Sequence, residues 1–277
     1  MKILLLVAVF SLLSLHAFAS CEFVQRISDS VGNSISEFSD TDNPGTNAAL
    51  ILPPTGGENI ADKFLAVSLC QRGLNTLILN FRQDSAEIDD LSAHDRITNG
   101  VLLWVDELLA KRKENFVIIG ASLGSIYASM AFGEARNSSQ TNYPNLRKIQ
   151  GAVLTVSGGS LAEILASSGL ASLVKERNAR LLHFAFADTS QYQKALESAI
   201  TLDQLQLVDP TASNKVLMFS STNDKIVPTK TQNQLWEAWG RPERHLYFTD
   251  HMWTIGFVYF TQPQKIYDFS QRIFNSN

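Results

Sequence analysis

The segment from Phe116 to Gly124 constrains the fold of this chain more than any other. It reads Phe-Val-Ile-Ile-Gly-Ala-Ser-Leu-Gly, so a short apolar run leads directly into a Gly-x-Ser-x-Gly motif. Such a run is typical of a strand buried on both faces of a parallel sheet. Apolar residues recur at helical spacing after Gly124. The pattern therefore predicts a strand, a sharp turn with Ser122 at its apex, and a helix.

The geometry of this turn favours a catalytic role for Ser122. Glycines at 120 and 124 remove the Cβ clashes that would keep strand and helix apart. A serine at the apex presents its hydroxyl beyond the end of the strand, where a substrate carbonyl can reach it. The Gly-x-Ser-x-Gly motif also occurs by chance in unrelated chains, but the flanking strand and helix favour a functional serine over a chance match. We predict that Ser122 is a catalytic nucleophile.

Composition excludes several classes of protein. The chain has 277 residues, of which 45% are hydrophobic and 18% charged, which suits one globular domain with a sizeable core. Its net charge is −4 and it has no long basic cluster, so nucleic-acid binding is not indicated. It also lacks the spaced ligand motifs of metal sites and the glycine-rich motif of phosphate-binding loops. We expect no metal and no cofactor.

Apolar strands alternate with amphipathic helices after a polar lead over residues 28–46. The predicted strands are 48–52, 76–81, 116–119, 152–156, 216–220 and 246–248. The predicted helices include 59–72, 93–111 and 257–274, the last interrupted near Pro263. This alternation predicts an α/β fold with a doubly wound, mostly parallel sheet.

One connection is too long for a plain crossover. The segment between the strands at 152–156 and 216–220 is roughly twice the length that such a connection requires and is largely helical in pattern. We predict that residues 162–213 form a helical cap over the site. The alternative is an ordinary crossover helix followed by a long loop.

The N-terminus has the pattern of an export signal. Residues 1–19 comprise a basic start, an apolar stretch and an Ala-Phe-Ala cleavage site, which leaves residues 20–277 as the mature domain. This predicts a periplasmic or secreted protein. The alternative is a lipoprotein anchored to the membrane through Cys21, but Phe18 fits that motif poorly, so we favour free export.

Cys21 and Cys70 are the two cysteines of the chain. In an oxidising compartment they can form a disulfide that ties the mature N-terminus to the first core helix. Alternatively, Cys70 is a small buried hydrophobic residue within its helix. A lipid on Cys21 would exclude the disulfide. The sequence leaves these alternatives open.

A serine nucleophile needs a base, and the base needs a carboxylate that orients it. His251 follows the last predicted strand and Asp224 follows the strand before it, so loops at the carboxyl edge of the sheet carry both. Asp250 is the alternative candidate for the carboxylate that orients His251. We prefer Asp224, because neighbouring side chains in an extended segment point in opposite directions, away from each other.

The order Ser122, Asp224, His251 resembles the α/β-hydrolase superfamily from about residue 47 to the C-terminus. The marks of this resemblance are Gly-Ala-Ser-Leu-Gly, Asn-Asp-Lys-Ile-Val-Pro after a strand, Leu-Trp-Glu-Ala-Trp-Gly-Arg-Pro-Glu at 235–243, and Asp-His at 250–251. The later part is similar to dienelactone-hydrolase-like and acetyl-xylan-esterase-like esterases and peptidases. The resemblance implies the α/β-hydrolase fold and acyl transfer by the three residues.

Acyl transfer also needs N–H donors for the developing oxyanion. The resemblance implies that the N–H of Leu123 is one donor and that the loop after the first core strand supplies the other. At that point the superfamily commonly has His-Gly before the donor, whereas this chain has Pro53-Pro54, which have no N–H to offer. The second donor is then Thr55 or Gly56.

These observations predict an exported serine hydrolase that cleaves small-molecule carboxylic esters through an acyl-enzyme. A serine peptidase or amidase on the same fold is the nearest alternative. A non-catalytic binding module on this scaffold is the alternative from another class, although such modules usually lose one of the three residues, and this chain keeps all of them.

Overall fold

An eight-stranded sheet forms the centre of the molecule. The computed structural model describes residues 21–29, 32–40, 45–81, 87–137 and 142–276, and the predicted leader, residues 1–19, lies outside them. The strands are Cys21–Ser28 (β1), Ser34–Asp40 (β2), Asn47–Leu52 (β3), Asn75–Asn80 (β4), Asn115–Ala121 (β5), Ile149–Thr155 (β6), Val216–Ser221 (β7) and Glu243–Tyr247 (β8). Their order in the sheet is β1-β2-β4-β3-β5-β6-β7-β8. The pairs β1/β2 and β2/β4 are antiparallel and the others are parallel, which confirms a mostly parallel sheet.

Helices cover both faces of this sheet. They are Ile60–Cys70 (α1), Ala93–Ala110 (α2), Leu123–Arg136 (α3), Leu161–Ser167 (α4), Ala171–His183 (α5), Thr189–Ala199 (α6), Gln204–Leu207 (α7), Thr229–Ala238 (α8), His251–Thr261 (α9) and Pro263–Asn275 (α10). Two apolar clusters result, because successive strand residues point to opposite faces. Leu50 of β3 belongs to the cluster under α2 and α3, whereas Ile51 belongs to the one under α1, α9 and α10. The predicted doubly wound architecture is therefore present.

The sheet reverses its winding between β3 and β5. These two strands are neighbours, with Leu52 opposite Gly120, yet the chain leaves them on opposite faces. It leaves β3 through α1 towards β4, and it leaves β5 through α3 towards β6. A crevice opens at the carboxyl ends of strands at such a switch point, and ligands bind there in open α/β sheets. Ser122 lies at this crevice.

Two strands precede the first predicted one: β2 lies within the predicted polar lead, residues 28–46, and β1 ends where that lead begins. The hairpin of β1 and β2 adds an antiparallel edge to the sheet. Strand β2 reads Ser-Ile-Ser-Glu-Phe-Ser-Asp, and its two apolar side chains, Ile35 and Phe38, point to different faces. One apolar residue per face is too sparse for a period-2 pattern, so this part of the prediction is wrong.

A disulfide joins β1 to α1. It links Cys21 and Cys70, whose Cα atoms are 5.8 Å apart. The sequence left open whether Cys70 forms a disulfide or is only a small buried hydrophobic residue. The structure shows the disulfide, and Cys70 is also buried. A sulfur in a disulfide cannot carry a lipid. Among the described helices, none has the length and apolar character needed to cross a membrane.

The long connection between β6 and β7 is helical. It contains α4 to α7 and a 3₁₀ helix over Pro210–Lys215. The buried guanidinium of Arg180 on α5 donates to the carbonyl oxygens of Glu87 (3.0 Å) and Asp90 (2.9 Å). Asp95 on α2 accepts a hydrogen bond from the backbone N–H of Thr201 at 2.7 Å. These contacts attach the connection between β6 and β7, which we call the insertion, to the residues around the start of α2.

Candidate active site

Ser122 occupies the turn between β5 and α3. Its φ of 52° and ψ of −122° lie in a region that residues with a side chain rarely adopt. Three backbone hydrogen bonds hold this conformation: the N–H of Ser122 donates to the carbonyl of Thr155 (3.0 Å), and its own carbonyl accepts from the N–H groups of Ser125 (2.9 Å) and Ile126 (3.2 Å). The strained turn thus joins the sheet to the first turn of the helix.

Two glycines make the turn sterically feasible. A Cβ atom built on Gly120 lies 2.5 Å from the Cα of Ser125, and one built on Gly124 lies 2.6 Å from the carbonyl carbon of Leu52. Both distances are far below van der Waals contact, so α3 can pack this closely on β3 and β5 only with glycine at both positions.

The structure brings Ser122, His251 and Asp224 into one hydrogen-bonded row. Nε2 of His251 is 2.8 Å from Oγ of Ser122, and Nδ1 is 2.7 Å from Oδ2 of Asp224. All three side chains are buried. With a proton on Nδ1, the histidine donates to the carboxylate and offers Nε2 to the serine hydroxyl as an acceptor.

Further donors fix the carboxylate of Asp224. Its Oδ1 accepts from the backbone N–H groups of Ile226 (2.8 Å) and Val227 (2.9 Å). Its Oδ2 accepts from the side-chain amide of Gln232 at 3.2 Å as well as facing His251. Four partners leave this carboxylate little freedom, and the imidazole is oriented in turn.

His251 lies at the start of a helix and not in the loop that the sequence predicts. It is the first residue of α9, whose N-cap is Asp250. The carboxylate of Asp250 accepts from the backbone N–H of Trp253 at 3.0 Å. Asp250 is therefore engaged with its own helix, where a negative charge is favourable.

The loop after β3 faces Ser122. A turn closed by the hydrogen bond from Gly57 N–H to the Pro54 carbonyl (3.1 Å) places Thr55 at its centre. Thr55, Ser122 and Leu123 line one cavity. Gly56, the other predicted donor, has a φ of 101° and does not belong to the cavity lining.

This cavity has a volume of about 550 Å³ and a mainly apolar wall. Helices α4 and α5 of the insertion form one side, with Leu161, Ile164 and Leu165 among the lining residues. Clefts of this size bury small organic molecules, oriented by a few polar groups. Two helices of the insertion therefore form part of the wall of the cavity that contains Ser122.

Two polar residues in the wall were not predicted from the sequence. His94 of α2 approaches Glu176 of α5, with 3.4 Å between Nε2 and Oε1, and Arg180 pairs with the same oxygen at 2.9 Å. Burial opposes ionisation of Glu176, but the hydrogen bond from His94 and the nearby positive charges outweigh it and lower the pKa of Glu176. The contact joins residues distant in sequence, and no local pattern signals it.

The described part of the chain contains no group of three or more His, Cys, Asp or Glu side chains arranged to hold a metal ion.

Comparison with solved structures identifies the fold. Est1E from Butyrivibrio proteoclasticus matches with a TM-score of 0.61 and 11% identity, over 93% of this chain and all of that one. The Pyrococcus furiosus esterase Pf2001 matches with a TM-score of 0.53 and 15% identity, over 91% of this chain and 92% of that one. A cold-adapted esterase from an Arctic intertidal metagenomic library gives a TM-score of 0.53 and 14% identity, over 91% and 92%.

No protein-family model matches the chain, and no curated protein matches it by sequence. The structural matches extend over nearly the whole of both chains, whereas the identities are low. The chain therefore has the α/β-hydrolase fold, as the sequence predicts, and the narrower resemblance to dienelactone-hydrolase-like proteins stays a prediction.

Proposed function

We propose that this protein is an exported serine hydrolase that cleaves carboxylic esters through an acyl-enzyme. The observation that carries the proposal is the hydrogen-bonded row from Ser122 through His251 to Asp224 at the wall of a cavity. Solved structures with the same fold and the name esterase support the same class of reaction. A fold alone does not define an activity, whereas a serine, a histidine and a carboxylate hydrogen-bonded in this order indicate acyl transfer.

In the first half of the reaction Oγ of Ser122 attacks the ester carbonyl carbon while Nε2 of His251 accepts the hydroxyl proton. Asp224 stabilises the imidazolium through Nδ1. The tetrahedral intermediate collapses, the bond to the alcohol oxygen breaks, and His251 gives its proton to the departing alcohol. The acyl group remains on Ser122.

Water completes the reaction by the same route. His251 accepts a proton from water, whose oxygen attacks the acyl carbon. Collapse of the second tetrahedral intermediate breaks the bond to Oγ, and the proton returns to Ser122 as the carboxylic acid leaves.

We assign the oxyanion hole to the N–H groups of Leu123 and Thr55. Leu123 begins α3, and the first N–H groups of a helix have no acceptor within the helix. Thr55 lines the same cavity. Of the two candidates in that loop we prefer Thr55, because Gly56 does not line the cavity.

Export is supported by the disulfide between Cys21 and Cys70, since such bonds persist in oxidising compartments. The pairing also favours free export over a lipid on Cys21. A mature protein whose mass corresponds to a start at Ser20 would support this part of the proposal, and retention of Met1 would contradict it.

We also propose that residues 162–213 act as a cap that limits the size of the ester. The cap is fastened through Arg180 and Asp95, so we expect a preformed pocket that favours short acyl chains. A series of p-nitrophenyl esters from acetate to palmitate tests this. A preference for palmitate would instead indicate a lipase with an apolar tunnel.

A fluorophosphonate probe tests the central proposal, because it labels activated serines covalently. The purified protein should be labelled and should hydrolyse p-nitrophenyl acetate, and Ser122→Ala should lose both properties. Ser172→Ala is the matched control, since Ser172 also lines the cavity but lies outside the row. Absence of labelling in the folded protein would favour a binding module, and faster cleavage of a matched amide would favour an amidase.

A further inference from the structure

One hydroxyl group in the cavity has no protein partner. Tyr127 lies on α3, the helix that follows Ser122, and both residues line the same cavity. The side chain of Tyr127 is only 3% exposed. Throughout the described ranges, no hydrogen bond involves its Oη. Its oxygen is not among the solvent-inaccessible unpaired polar atoms of the described residues, so the hydroxyl opens into the cavity. Within those ranges the protein itself gives this hydroxyl no partner, and a molecule in the cavity can supply one.

The packing of the ring fixes the position of this hydroxyl. Phe81 contacts the Tyr127 ring edge to face, with 5.0 Å between centroids and an interplanar angle of 80°. Burial raises the pKa of Tyr127 above its ordinary value, so the hydroxyl keeps its proton at neutral pH and is available as a donor. A ligand in the cavity with an acceptor oxygen would complete the missing bond.

We infer that Tyr127 determines specificity by donating a hydrogen bond to an uncharged oxygen on the part of the ester that fills the cavity. This inference rests on the proposed function. The substrate class is an ester with a mainly apolar acyl or alcohol group that contains a hydroxyl, ether or carbonyl oxygen apart from the ester itself.

The rest of the wall explains why the group is mainly apolar and uncharged. Aliphatic side chains of α2 to α4 surround most of the cavity, including Ile97, Ile126 and Ile164. Glu176 and Lys175 also line the cavity, but the carboxylate of Glu176 is already paired with Arg180 at 2.9 Å. A charged group placed against the aliphatic wall would lose its hydration at a large cost, whereas an uncharged oxygen satisfies Tyr127 at little desolvation cost.

Tyr127→Phe removes only the hydroxyl, and isosteric ester pairs isolate its effect. The acyl series compares p-nitrophenyl pentanoate with two isosteric esters, the 3-methoxypropanoate and the ethoxyacetate. The alcohol pair compares butyl acetate with 2-methoxyethyl acetate. For each ester the ratio of wild-type to variant kcat/KM cancels intrinsic reactivity. The ratio should be close to one for the plain esters and roughly 3- to 10-fold for at least one oxygen-bearing partner, the range of one neutral hydrogen bond.

Tyr259→Phe is the matched control. Tyr259 is also fully buried with an unpaired hydroxyl, but it belongs to the apolar cluster on the opposite face of the sheet. Its ratios should be close to one for every ester. Equal ratios for plain and oxygen-bearing esters in Tyr127→Phe, or the same selectivity in Tyr259→Phe, would overturn the inference. Ser122→Ala is assayed in parallel: if it still hydrolyses these esters, the proposed function fails, whereas loss of hydrolysis together with equal ratios refutes only the role of Tyr127.

Discussion

Replacing Gly124 by alanine tests whether the close approach of α3 to the β3 loop sets the geometry of the site. The Cβ atom of Gly124→Ala would lie 2.6 Å from the carbonyl carbon of Leu52 and nearer still to the carbonyl oxygens of Leu52 and Pro53. Carbon atoms pack at about 3.5–4.0 Å, so helix and loop must separate by about 1 Å. That movement separates the N–H of Leu123 from that of Thr55.

A displacement of about 1 Å at reacting groups lowers rates by roughly 100-fold. We therefore expect kcat/KM for p-nitrophenyl acetate to fall about 100-fold, which corresponds to about 2.7 kcal/mol of transition-state stabilisation. Overpacking should also lower the stability by about 1–3 kcal/mol, which leaves most of the protein folded. Circular dichroism and active-site titration with the fluorophosphonate probe correct the rates for any unfolded fraction.

Gly256→Ala is the matched control, because a Cβ atom built on Gly256 of α9 meets nothing within 4 Å. It should keep full activity and gain up to about 1 kcal/mol of stability from helix propensity. If Gly124→Ala stays folded and keeps kcat/KM within about threefold of wild type, close contact between α3 and the β3 loop does not position the oxyanion donors.

Three further outcomes are expected. Asp224→Asn should lower kcat roughly 10³- to 10⁴-fold by favouring the wrong tautomer of His251, whereas Asp250→Asn, which can still cap α9, should change it little; the reverse ranking in ester assays would make Asp250 the acid. Replacing both Cys21 and Cys70 by alanine should cost about 4 kcal/mol in urea unfolding, because the disulfide closes a loop with a sequence separation of 49; a loss below about 1 kcal/mol would contradict this. Burial raises the pKa of Asp62 from 3.8 to about 7, so the folded state binds this proton more tightly than the unfolded state, and stability should fall by up to about 4 kcal/mol as the pH rises between those values. Asp62→Asn should remove that loss, and an unchanged pH profile in the variant would refute the assignment.

Ser122, Asp224 and His251 could be predicted from the sequence, because local sequence patterns and chain order indicate their positions. The strand, two glycines and helix around Ser122 specify a turn that has few structural alternatives. The chain order then selects Asp224 and His251, because residues that follow parallel strands gather at one edge of the sheet. The structure places these three side chains within hydrogen-bonding distance.

Features that depend on tertiary contacts were not predictable. Strand β2 is held by its neighbours and not by an apolar pattern, so the hairpin with β1 was missed. His251 was expected in a loop because the helical pattern of α9 is weak in its first turn, where Asp250 caps the helix. The cavity wall formed by Tyr127 and Glu176 brings together two helices whose relative position no local sequence pattern encodes.

The hairpin at the start of the chain also covers the backbone edge of β2, which adjoins both apolar clusters. The side chains of β1 are exposed along nearly the whole strand, so little apolar burial holds it in place. If β1 detached, the backbone of β2 would become an open sheet edge, with Ile35 and Phe38 beside it, able to template strand pairing with another molecule. The covalent bond from Cys21 to Cys70 keeps β1 near that edge even when its hydrogen bonds break. Reduction should therefore promote aggregation through β2 under conditions in which the rest of the sheet is still folded.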